Sequence, residues 1–117
     1  MAKLLKIRTM AQAKKEMEKI GVSEGGIAEM MPKSVFLAIK LAGVRNAIAN
    51  ILKQECLSVG AEAAVSQWTV NCRKPKTGVL LLGTLKQLRK VEAKMKRQPS
   101  ESPEIAKEIG QILAKAK

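Results

Sequence analysis

The side chains able to move protons or hold metals are few in kind. The chain has 117 residues, no His and no Asp, and all ten of its acidic residues are Glu. Imidazole titrates closest to neutral pH and is the commonest general acid–base. Without His or Asp, no Ser-His-Asp triad, Cys-His pair or His metal site can be assembled. What remains is Glu, Lys and Cys; the minimal catalytic arrangement would set Glu55 or Glu62 beside a lysine. Cys56 and Cys72 lack the CxxC spacing of a metal or redox motif. Buried reduced thiols in a cytosolic protein are the favoured reading, and a disulfide between them stays open. The expectation is a protein that is not an enzyme, takes no metal and no cofactor, and works by contact.

Charge points the same way. The net charge of +12 favours acidic partners such as nucleic acid or phosphate-bearing ligands. Residues 73–97 hold nine Lys or Arg against one acid, Glu92. Arg73, Lys74, Lys76, Lys86, Arg89, Lys90, Lys94 and Arg97 could displace counterions from a phosphate backbone. The simpler reading is the solvated side of an amphipathic helix, and no aromatic is interleaved to stack on bases. A second group is Gly83, Thr84, Lys86 and Gln87, where a strand gives way to a helix whose free N–H groups attract anions. It lacks the glycine and GK[ST] spacing of a phosphate loop, so a capped helix suffices. A third is Arg45, Asn46, Asn50, Lys53, Gln54 and Glu55 on one helix, either a recognition face or surface ion pairs worth little each.

The elements that must position these groups follow from periodicity. Lys3–Arg8 alternates loosely and reads as a strand. Thr9 caps a helix with Met10, Ala13, Met17 and Ile20 on one face, ended by Gly21. Ser23–Gly26 reads as a turn, Ile27–Met31 is ambiguous, and Pro32 breaks it. Val35–Leu41 reads as a strand ended by Gly43, with a helix as the competing assignment. Arg45–Val59 is a helix closed by Gly60. Trp68, Val70 and Cys72 alternate with polar residues as in a half-buried strand. Val79–Leu82 is apolar throughout, as in a strand covered on both faces. Thr84 caps a third long helix, and Pro103 sits in the first turn of a last one. The fold class is α/β: a two-layer sandwich with a mixed sheet of about four strands, in the order β-α-β-α-β-β-α-α. One domain spans 1–117, with 98–103 linking to the C-terminal helix. No apolar run is long enough for a signal peptide or membrane span, so a cytoplasmic protein without membrane attachment is expected.

Several stretches carry a resemblance to a known family. They are Glu18–Val22 with Gly25-Gly26-Ile27, Pro32-Lys33 leading to Ile39-Lys40-Leu41, Val44–Glu55, Leu57–Val65 and Leu81–Leu88. Together, over roughly residues 3 to 113, they resemble the N-terminal extension domain of long-form dihydropteroate synthases of archaea and anaerobic bacteria. Ala49–Glu55 and Gly83–Gln87 are the most specific pieces. In that family the pterin chemistry belongs to a following (β/α)₈ barrel, which this chain lacks. The resemblance therefore implies an accessory, assembly or ligand-sensing module of folate or C1-carrier metabolism, with Arg45, Asn50, Lys53, Gln54, Glu55, Gly83, Thr84, Lys86 and Gln87 as its binding positions. A protein partner or fused synthase barrel is expected; nucleic acid is the alternative, and a homo-oligomer stays open. After Gln98-Pro99, where the family continues Phe-Gly-Leu, this chain reads Ser100-Glu101-Ser102.

Overall fold

The structure, a computed structural model, describes residues 1–69, 71 and 73–116. Two helices lead. In α1 (Met10–Ile20), Thr9 and Gln12 form a reciprocal capping box, and Gly21 closes the helix at φ +88. A positive φ is cheap only for glycine, which is why the chain turns there. The segment expected to be a turn is instead the start of α2 (Glu24–Met30), whose N-cap is Ser23. The Ser23 hydroxyl accepts from the Gly26 N–H at 3.1 Å, a cap strong enough to recruit two glycines into a helix. A 3₁₀ turn at Met31–Lys33 follows, with Pro32 in its first positions.

Among the described residues the sheet has three strands: β1 (Phe36–Arg45), β2 (Glu62–Val65) and β3 (Lys76–Thr84). Its order is β1-β3-β2, with β3 antiparallel to both neighbours. The expected mixed sheet of about four strands is thus corrected to an antiparallel sheet of three, and the element order to α-α-β-α-β-β-α-α. Lys3–Arg8 forms no strand. Residues 67–69 form a turn rather than a strand, while β2 lies earlier, in the alanine-rich Glu62–Val65. Val70 and Cys72, the rest of the expected alternation, fall outside the described residues. Gly43 does not end β1; at φ +62 it sits where the register shifts between Leu41 and Val44, and the strand resumes to Arg45. Such a bulge bends a strand without ending it.

Helices α3 (Asn46–Ser58) and α4 (Leu85–Met95) pack on one face of the sheet, and α5 (Ser102–Leu113) packs on α4. Side chains on a strand alternate between faces. Accordingly Ile39, Leu41, Val79, Leu81 and Ala63 point inward to meet Ile48, Leu52, Leu88, Val91, Met95 and Ile109 in one aliphatic core. Cys56 is buried within it as a free thiol. Burial, then the nearby Glu62 carboxylate, pushes that thiol up to about 11, so it stays protonated and poorly nucleophilic at neutral pH. Among the described residues no helix is long and apolar enough to cross a membrane.

The molecule measures 52 × 29 × 22 Å with a radius of gyration of 16.4 Å, against about 13 Å for a compact chain of this length. The N-terminal part accounts for the length. Helix α1 touches mainly α2 and the 3₁₀ turn.

Candidate binding surfaces

The uncovered side of the sheet is the largest feature that sequence reasoning missed. The register aligns Ala38, Leu82 and Glu62 in one row and Lys40, Leu80 and Ala64 in the next, with Phe36 opposite Thr84. These residues point away from the helices. Phe36 is 64% exposed and Leu80 37%. Val79–Leu82 is therefore not covered on both faces as expected: Val79 and Leu81 are buried, Leu80 and Leu82 are not. The centre of this face is apolar. Lys40 stands within it and Lys76 at one end. The Glu62 carboxylate folds to the sheet edge.

That fold of Glu62 involves Lys53. The Lys53 ammonium donates to Glu62 Oε1 at 3.1 Å and to the Ala63 carbonyl at 2.8 Å. The Ala63 N–H donates to the same carboxylate at 2.9 Å. Both outward backbone groups of Ala63 are thereby occupied, which blunts the open edge of β2 against strand addition. The Ala63 N–H first, then Lys53, hold the Glu62 carboxyl below its ordinary range. Lys53→Met is expected to leave folding nearly unchanged but to raise self-association, read as light scattering on concentration. A variant that stays as dispersed as the parent would refute this edge role.

At one end of the β1–β3 ladder Arg45 lies opposite Lys76; at the other Phe36 lies opposite Thr84. Eight residues of strand, roughly 27 Å, separate them. The binding positions implied by the resemblance are therefore not gathered into one site. Arg45 reaches Glu101 in a two-pronged pair, Nε to Oε2 at 2.8 Å and Nη2 to Oε1 at 2.9 Å. Asn46 Nδ2 donates to the Lys74 carbonyl. These contacts tie the start of α3 to the α4–α5 connection and to the β2–β3 loop. Asn50 and Glu55 are half-buried and Gln54 is exposed.

Gly83, Thr84 and Gln87 build the start of α4. The Thr84 hydroxyl accepts from Gln87 N at 3.1 Å, and Gln87 Oε1 accepts from Thr84 N at 2.9 Å. A Cβ at Gly83 would come within 3.0 Å of the Ala61 Cβ and 3.1 Å of Gln87 Oε1. This motif reads as capping and close approach, and its N–H groups are partly spent. Thr84→Ala should cost about 1 kcal/mol of stability, measured by denaturant unfolding; no loss would remove the cap from the account. Beside it, Lys33, Val59, Thr84, Lys86, Gln87 and Lys90 line a shallow cleft of about 330 Å³. Glu29 already bridges two of its lysines, 2.9 Å from Lys86 and 3.6 Å from Lys33, and the hydrogen bond from Lys86 holds its carboxyl below the ordinary range.

The basic residues of 73–97 divide likewise. Arg73 lies over the Trp68 ring, 4.7 Å from its centroid, and Lys74 and Lys76 belong to the loop end of the sheet. Lys94 donates to the Ser58 hydroxyl at 2.7 Å, and Lys96 lies 3.5 Å from Glu92. Arg89, Lys90 and Arg97 are exposed on α4 or just beyond it.

The Arg45–Glu101 pair has a pH signature. Hydrogen bonds from Arg45 push the Glu101 carboxyl down to about 2, against about 4.3 for a free glutamate. A depressed folded-state value stabilises above the unfolded one and is lost as protons bind the folded form. The pair's contribution should be complete near neutrality and disappear between about pH 4 and pH 2. Thermal unfolding of Glu101→Gln and parent should differ at pH 7 and converge at the acid end; a constant difference across that range would rule the pair out as the cause.

No family model matches this chain, and neither the curated proteins nor the solved structures yield a match.

Proposed function

We propose that this chain is a non-catalytic accessory domain that docks on a protein partner through the open face of its sheet. One observation carries the reading: an apolar strip of Phe36, Ala38, Leu80, Leu82 and Ala64 on regular strands, uncovered. Exposed apolar surface on a soluble domain marks an interaction site. The charge around it defines the partner. Lys40 and Lys76 with a net +12 call for an apolar patch bordered by carboxylates. The resemblance to the extension of long dihydropteroate synthases makes a synthase barrel, fused or separate, the partner of choice. Two of the groups the sequence offers for chemistry are poorly set for it: Glu62 is held at a surface edge, and Cys56 is buried and protonated. The test is to titrate a dihydropteroate synthase barrel with this protein and to assay the protein alone for dihydropteroate formation. Binding without turnover by the chain alone is expected. Turnover by the isolated chain, or no association with the barrel, would overturn the reading.

A second reading, nucleic-acid binding, is favoured by the exposed cations Arg89, Lys90 and Arg97 together with the Arg73–Trp68 stack. It predicts RNA or DNA binding that falls with salt, and a salt slope reduced by about one unit when one phosphate-contacting cation is removed. Filter binding across a salt series decides; no retention even at low ionic strength eliminates it.

A further inference from the structure

The two edges of the sheet are treated differently. The edge of β2 is closed by Lys53 and Glu62, which occupy both outward backbone groups of Ala63. Among the described residues, the edge of β1 has no strand beside it. Its regular part runs from Phe36 to Leu41, six residues, before the register shift. Exposed strand edges invite pairing unless something blocks them.

The chain also holds a segment of the same length with a strand pattern and no partner strand. Lys3–Arg8 alternates, with Leu5 and Ile7 on one side, Lys3 at their outer end, and Leu4, Lys6 and Arg8 on the other. It forms no strand and has no ladder partner among the described residues. Leu4 is 89% exposed and Leu5 44%. Ile7 lines an apolar groove with Met30 and Ser34, immediately before β1. The segment's own β1 edge is therefore close by, and the chain still does not pair with it.

We infer that residues 3–8 of one chain add to the β1 edge of a second copy, reciprocally, giving a strand-exchanged homodimer. An antiparallel register placing Leu4 opposite Lys40, Leu5 opposite Ile39 and Lys6 opposite Ala38 keeps lysines from facing lysines, which would destabilise the pair. Leu5 and Ile7 then extend the inner, aliphatic face, and Leu4 extends the open one. Two such strands and the edges they cover bury on the order of 1,200 Å², the lower end of stable interfaces. Each chain carries +12, so the repulsion between copies is screened as salt rises. The dimer should strengthen with ionic strength, opposite to nucleic-acid binding.

Sedimentation velocity of the whole protein at about 100 µM tests this mass-action equilibrium, in low salt and in about 0.5 M salt. Twice the monomer mass is expected in high salt. Adjacent strand residues turn their N–H groups to opposite sides, so prolines at both 4 and 5 remove one ladder donor whichever way the segment lies. Leu4→Pro/Leu5→Pro should restore the monomer with an unchanged far-UV spectrum, since both side chains are exposed in the single chain. Mixed samples of Leu4→Cys and Lys40→Cys chains should yield the 4–40 disulfide on mild oxidation, which in a mixture can form only between copies. A monomer in high salt, a dimer indifferent to the prolines, or a mixture that forms no 4–40 disulfide would each overturn the inference.

Discussion

Leu81→Ala should lower the unfolding free energy by about 3–5 kcal/mol, while Leu80→Ala, one residue away on the same strand, should cost under about 1 kcal/mol. Leu81 is fully buried among the helices and lies opposite Ile39 and Ala63 in the ladder. Truncating it removes apolar area and leaves a cavity, and the well-packed interior relaxes only partly around such a void. Leu80 keeps 37% of its surface exposed and opens on solvent, so less burial is lost with it and no enclosed cavity is left. Urea unfolding of the two variants checks this. Equal losses would mean that the sheet is covered on both faces, and the docking face would not exist.

The second large effect concerns binding. Leu80→Glu should weaken association with the barrel partner by roughly 30- to 1,000-fold, the 2–4 kcal/mol typical of a central contact. The substitution puts a carboxylate in the middle of an apolar strip, opposite the carboxylates expected around the partner's patch, where it meets desolvation and repulsion together. Stability should change little, because position 80 faces solvent in the free chain. Charge reversal at Arg89 or Lys90, on the far side of the sheet from this strip, should leave barrel binding within about threefold. Titration calorimetry on the three variants separates the surfaces. A barrel affinity untouched by Leu80→Glu and cut by Arg89→Glu would move the docking surface to α4.

The same strand shows why reading the sequence succeeds unevenly. Signals confined to a few neighbouring residues came through: Thr9 and Gly21 bracket α1, Thr84 starts α4, and Pro103 lies in the first turn of α5. A cap is a hydrogen bond across three residues, so its chemistry is local. Ser23 is the exception, because Gly25 and Gly26 suggest a turn whereas the cap and the contacts of Ile27 favour a helix. The candidate residues divide in the same way. The Gly83–Gln87 pattern was visible, but its work as a capping box and a close approach to Ala61 needed the neighbouring strand to be in place.

Composition alone established that this chain has no imidazole and no aspartate, that it is strongly cationic, and that its core is aliphatic. Periodicity and caps located four of the five helices among the described residues, while short apolar runs pointed to β3 and, against a competing helix, to β1. Tertiary structure decided which strand runs through the middle, that β2 lies at Glu62–Val65, that Lys3–Arg8 finds no partner within the chain, and that Leu80 and Leu82 are left uncovered. The physical reason is that strand pairing is paid for by contacts distant in sequence. Whether a given alternation is satisfied depends on which edge is free to receive it, and Lys53 with Glu62 closes one edge while β1 leaves the other open.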